Sequence, residues 1–222
     1  MAFILNIETS TKNCSVSVSE NGKIIALKEL NDGNYSHAEK LHVFIDAVLK
    51  QANIDMQQLD AVAIGKGPGS FTGLRIGVSA AKGLCFALDI PLISISTLQH
   101  LALQVKAENG VIIPMLDARR MEVYSAIFDT DNQFVREIEA QILEESSFQN
   151  YLNDDNVYFI GDGVKKTKEL ISHPNAIFID DKLPSANEMG MVAFEKFQQK
   201  DFESTAYFEP FYLKDFVAHK KK

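Results

Sequence analysis

Tryptophan is absent from this 222-residue chain, cysteine occurs twice, and positive charge is scarce. Cys14 and Cys85 are too few for a disulfide framework and form no C-x-x-C pair, which predicts small buried thiols in a reducing cytoplasm. Lys and Arg total 22 against 30 Asp and Glu, a net charge of −8, and the pI is near 5.1. So acidic a chain lacks the counterion-release drive for binding a nucleic-acid duplex or a tRNA by itself, and any nucleic-acid contact needs a partner's surface. No apolar run reaches the ~20 residues that span a bilayer, and Met1 to Glu8 carries no basic leader, so a cytoplasmic protein with no membrane contact is expected. What is present is core material. With 46% hydrophobic residues, the chain can build one large core or two small ones.

The order of elements repeats. Phe3 to Ile7, Ser15 to Ser19 and Lys23 to Leu30 read as strands, the last two joined by the hairpin signal Asn21-Gly22. A Ser36/Glu39 capping box then opens a helix with Leu41, Phe44, Ile45 and Val48 at helical spacing. The strand Ala61 to Ile64, a glycine-dense corner, a helix and the strand Leu92 to Ile95 follow. The second half gives strands at Val111 to Leu116, Glu122 to Phe128 and Phe134 to Ile142, with turns at 117–120 and 129–132. A helix near Ser146 to Leu152, a strand at Val157 to Ile160, a helix from Val164 to Ile171, a strand at Ala176 to Ile179 and a helix opened by a Ser185/Glu188 capping box complete it. The expected fold is α/β: two subdomains, 1–104 and 105–222, each with a mixed five-stranded sheet flanked by helices.

Candidate chemistry clusters at few places. Gly65, Gly67 and Gly69 around Pro68 lead into a helix N-terminus, a corner that cradles an anion or packs tightly. It has no Gly-Lys-Ser/Thr, no third glycine of a dinucleotide fingerprint and no nucleophile elbow. Gly73, Gly77 and Ala81 recur every four residues, which predicts a helix face that another helix can approach closely. His37 and His42 are five apart, diverging by roughly 140° around a helix, so they cannot readily chelate one ion and read as surface residues. Glu8 and Asp117 fall where the first strand of each copy runs out, open to an acid and base role or to turn capping. Arg75, Arg119 and Arg120 are the concentrated guanidinium donors, suited to an anion or to surface ion pairs. Tyr207 to Lys214 is aromatic and broken by Pro210, the composition of a tail that packs back on the body; Lys220 to Lys222 reads as a solvated basic end.

Ile-Glu-Thr-Ser-Thr at 7–11, Gly-Lys-Gly-Pro-Gly-Ser-Phe-Thr-Gly-Leu-Arg-Ile-Gly at 65–77, Ile-Ser-Thr-Leu at 95–98, Asp-Ala-Arg-Arg-x-Glu-Val-Tyr at 117–124 and Pro-x-Tyr-Leu-Lys at 210–214 together resemble the TsaB, or YeaZ, family. The resemblance implies a duplicated actin-like, ribonuclease H-like fold of the sugar-kinase-like ATPase superfamily. It further implies a non-catalytic subunit of the machinery that places threonylcarbamoyl on the adenosine beside the tRNA anticodon, without catalytic residue, metal or cofactor of its own. The implied partners are the TsaD paralogue and the TsaE ATPase, with tRNA met only through the complex and a homodimer when alone. TsaD carries a His-x-x-x-His metal pair; here His37 is followed by Leu41. The family pairs through N-terminal helices. Carried over residue by residue, contacts are expected at Ser36, His37, Lys40, Leu41 and Phe44, and at Gly69, Phe71, Thr72, Gly73, Arg75, Ile76, Gly77, Ala80 and Ala81. Glu8, where aspartate is common in the family, Asp117, Arg119 and Arg120 remain as nucleotide or anion contacts. The alternative is an independent phosphotransferase or a metallopeptidase.

Overall fold

The computed structural model describes residues 1–34 and 36–214; the basic end at Lys220 to Lys222 lies outside them. The first sheet is built from β1 (Phe3–Glu8), β2 (Cys14–Glu20), β3 (Lys23–Leu30), β4 (Ala61–Gly67) and β5 (Leu92–Ser96), in the order β3-β2-β1-β4-β5. Its meander is antiparallel, and β1, β4 and β5 run parallel. The second sheet repeats this with β6 (Val111–Asp117), β7 (Glu122–Phe128), β8 (Phe134–Ile142), β9 (Val157–Ile160) and β10 (Ala176–Ile179), in the order β10-β9-β6-β7-β8. Two five-stranded mixed sheets flanked by helices are the fold the repeated pattern predicts. Asn21 and Gly22 both take positive φ, 49° and 85°, as a tight turn between antiparallel strands requires.

The helices are α1 (His37–Ala52), α2 (Phe71–Leu88), α3 (Thr97–Ala102), α4 (Gln149–Asp154), α5 (Val164–Leu170) and α6 (Met189–Gln199). Neither expected capping box forms at α1 or α6. Ser36 makes no side-chain cap at α1, and α6 begins instead from Glu188 in a helical conformation. Ser185 is drawn away, donating to Glu29 Oε2 at 2.7 Å. Ser70, not among the caps expected from the sequence, does cap α2, accepting from the Gly73 N–H at 3.3 Å.

One face of the first sheet buries Leu41, Ile45 and Val48 of α1 and Val78, Ala81 and Cys85 of α2. Length and hydropathy alone would let α2 cross a membrane, yet it packs along β4. The opposite face of this sheet is covered by α6, whose Met189 and Ala193 pack on Ile4, Ala63 and Ile93. Reciprocally, Leu98, Leu101 and Ala102 of α3 pack on Ile112, Ala126 and Ile160 of the second sheet. The helix ending each repeat therefore covers the sheet of the other. Helix α3 is absent from the sequence reading, because six residues are too short to show a 3.6-residue period.

Serines make the α6 side of β2 polar although it is buried. Ser17 donates to the Ala186 carbonyl at 2.8 Å, Ser15 accepts from the Ala186 N–H at 3.0 Å, and Asn6 donates to Ser17 Oγ at 3.1 Å. These bonds satisfy groups whose burial would otherwise be costly.

Candidate functional site

Two concavities flank α2. The first is a cleft of about 540 Å³ between the sheets, lined by Ser10 and Thr11 after β1, Gly69 to Thr72 at the start of α2, and Asp117, Arg119 and Asp162 across from them. The second is a groove of about 570 Å³ on the outer side of α2, lined by His42 of α1 and by Arg75, Ile76, Ser79, Ala80, Gly83 and Leu84.

The matched carboxylates do not form an acid and base pair. Glu8 is fully buried and shut off from the cleft, its Oε2 2.8 Å from His100 Nε2 on α3 while its Oε1 accepts from the Ser10 N–H. Burial pushes its pKa up, but the pairing with His100 and the bonds from Ser10 outweigh that and leave it below the ordinary value. The expectation that Glu8 contacts a nucleotide or anion is therefore corrected. Gly65 serves this pair, since a Cβ there would lie 2.1 Å from Glu8 Oε2. His100 was missed because it stands 92 positions downstream in a helix the sequence did not disclose.

Asp117 stays at the cleft, 2.5 Å from Lys166 Nζ, which also donates to the Arg120 and Glu122 carbonyls at 2.7 and 2.9 Å. The Asp117 backbone N–H donates to Asp162 Oδ1 at 2.7 Å, and burial raises the Asp162 pKa. Asp162 and Lys166 escaped the sequence reading. Arg119 and Arg120 sit exposed at the β6–β7 hairpin tip with positive φ of 70° and 51°. Neither they nor Arg75 enters an ion pair among the described residues, contrary to the surface-pair expectation. Arg75 instead lays its guanidinium over the Phe71 ring, 3.9 Å from the centroid, and donates to Tyr212 Oη at 3.2 Å.

The face expected to dock a partner points inward. Gly73, Gly77 and Ala81 are buried; a Cβ on Gly73 would lie 2.1 Å from the Thr9 carbonyl oxygen and one on Gly77 2.2 Å from Thr9 Oγ1. These glycines admit the chain's own β1–β2 loop, whose Thr9 hydroxyl donates to the Gly73 carbonyl at 2.8 Å. His37 and Leu41 are buried too. His37 is no surface histidine: its Nε2 lies 2.7 Å from the Thr11 carbonyl oxygen, and burial lowers its pKa. Of the remaining expected contacts, Ser36, Lys40, Phe44, Gly69, Phe71, Ile76 and Ala80 are half-buried, and Thr72 and Arg75 are exposed.

A second row of small residues runs along the opposite side of α2. Ser79, Gly83 and Ala87 are exposed at four-residue spacing, and a Cβ on Gly83 would meet nothing within 4 Å. Phe86 nearby is 87% exposed and Val43 on α1 60%. The same spacing rule thus marks two faces, and which of them looks outward is fixed by Thr9, from another element.

A family model described as TsaD, tRNA N6-adenosine threonylcarbamoyltransferase, matches residues 32–222. The tRNA threonylcarbamoyladenosine biosynthesis protein TsaB of Haemophilus influenzae is 32% identical over 98% of this chain and 96% of its own. The chain belongs to the TsaB family. TsaB of Escherichia coli is 30% identical over 98% of this chain and 97% of its own. A Pseudomonas aeruginosa crystal structure described as similar to the peptidase YeaZ superposes with a TM-score of 0.85 at 25% identity, covering 96% of this chain and all of that one. The YeaZ structure from the same organism gives 0.82 at 25% identity, with the same coverage. The glycine corner, the Asp-Ala-Arg-Arg hairpin and the Pro-x-Tyr-Leu-Lys tail of this TsaB-family chain all border the one cleft.

Proposed function

We propose that this chain is a non-catalytic subunit of tRNA threonylcarbamoyladenosine biosynthesis in the cytoplasm, binding and activating the TsaD paralogue through the outer faces of α1 and α2. The observation that carries this reading is the outward groove: Ser79, Ala80 and Gly83 in its lining, an empty approach above Gly83, and the exposed apolar side chains of Phe86 and Val43 on the same two helices. Small residues let a partner helix approach closely, and large exposed apolar groups beside them mark surfaces that are covered in an assembly. Two further facts support an accessory role. Leu41, at the place of the second metal ligand in the paralogue, is locked in the core, and Glu8 is sealed behind His100.

The paralogue occupies the groove in the active assembly, where the pair completes the site for TsaE and tRNA; two copies of this chain pair through the same face when the paralogue is missing. Gly83 separates docking from folding. Gly83→Trp is expected to abolish co-elution with the paralogue and tRNA modification in a reconstituted system, with cooperative melting retained, whereas Gly83→Ala preserves all three. Full modification by the Trp variant would refute the assignment.

A further inference from the structure

The last described residues form a strap. Beyond α6, the Glu203 N–H donates to the Leu92 carbonyl, and Lys82 of α2 donates to the Ala206 and Phe208 carbonyls at 3.1 and 3.0 Å. The Phe211 N–H then donates to the Lys66 carbonyl at 2.8 Å. Tyr212 packs against Phe71 with the rings tilted by 38° and centroids 4.9 Å apart, and Lys214 pairs with Glu122 on β7. The strap thus runs back along α2 and crosses the cleft mouth, tied to the first sheet at one end and the second at the other. Gly67 is shaped for this crossing: its φ is 111°, and a Cβ would lie 2.7 Å from the Phe211 carbonyl oxygen.

Arg75 belongs to both concavities. Its side chain lines the groove, while Phe71 and Tyr212, which it stacks on and donates to, line the cleft. A guanidinium has five donor hydrogens, and a carboxylate in the groove would engage two of them in a bidentate pair stronger than one bond to a neutral phenol. We propose that Arg75 is a latch: an acidic side chain of the partner in the groove draws it off Tyr212, and the strap releases from the cleft mouth. Release would uncover the cleft floor, where the buried Ser10 hydroxyl has no hydrogen-bond partner among the described residues. The proposal rests on the groove being the docking site of the paralogue, and Arg75 supplies the differential contact that coupling between two sites requires.

Hydrogen exchange at the Phe211 amide, which is bonded only while the strap is closed, tests this. With the full chain at a concentration where it is monomeric by sedimentation, saturating TsaD paralogue should slow exchange in Ser79 to Leu84. It should raise Phe211 exchange about tenfold, within the range usual for coupled sites. Arg75→Gln alone should raise Phe211 exchange to a similar extent with an unchanged melting profile, and the paralogue should then add nothing further. Tyr212→Phe, which keeps the ring but loses the acceptor, should act in the same direction. Protection of α2 without faster Phe211 exchange overturns the latch, as does an Arg75→Gln variant whose strap stays closed. Absence of any protection in α2 is a different result: it removes the functional reading, and the latch with it.

Discussion

Glu8 and Asp117 end equivalent strands, yet their surroundings send them to opposite fates. Asp117 remains exposed at the cleft, held by Lys166, while Glu8 is buried against His100. A buried carboxylate depends on its partner, so His100→Ala should cost about 3–5 kcal/mol in chemical denaturation. Because the folded pKa of Glu8 lies below its ordinary 4.5, its contribution is present above that value and disappears as pH falls through the folded value. Acid unfolding monitored by circular dichroism should therefore steepen below pH 4.5, and Glu8→Gln should flatten this limb. His37 acts in a higher window. Burial holds its pKa below the ordinary 6.5, so protonation favours the unfolded chain and stability is lost as pH drops below that value. The melting temperature should fall as pH drops below 6.5, and His37→Gln should remove most of that slope. Position in the sequence marks both carboxylates as special; the distinction between them depends on a histidine from a distant helix.

Among the elements, α2 separates what periodicity reveals from what it conceals. A four-residue repeat of small side chains predicts a face for a partner helix, but at Gly73, Gly77 and Ala81 the chain's own β1–β2 loop comes close instead, and α2 carries a second such row on its exposed side. Gly77→Leu, against Thr9 and Ile64, should destabilise the chain by ~1–3 kcal/mol through overpacking. Gly83→Ala, on the open side, should stabilise it by about 0.5–1 kcal/mol by removing backbone freedom from the unfolded chain. Thermal melts of the two variants check this contrast of sign. Strands were more legible than helix ends: β3, β7, β8, β9 and β10 have the bounds their residue types suggest, because meanders and buried parallel strands have strong patterns. The caps were not, since Ser36 and Ser185 share their local spacing with real capping boxes while tertiary contacts redirect Ser185 to Glu29.

For the whole molecule, the duplication was legible in the order of elements, and the exchange of end helices was not. The pattern of a strand states that a face is covered without stating by which segment. Serines alternating along β2 resemble a solvent-facing edge, yet residues 185–189 of the other repeat cover them. Ser17→Val should cost roughly 1–3 kcal/mol by leaving the buried Ala186 carbonyl without its donor, measured by urea denaturation. The crossed placement of α3 and α6 also bears on how such a protein is divided. A polypeptide cut between the repeats would leave each fragment with a bare sheet face, α6 without the sheet it covers and α3 without the second sheet against which Leu98, Leu101 and Ala102 pack. Each fragment should then be insoluble when produced singly and regain native circular dichroism on mixing.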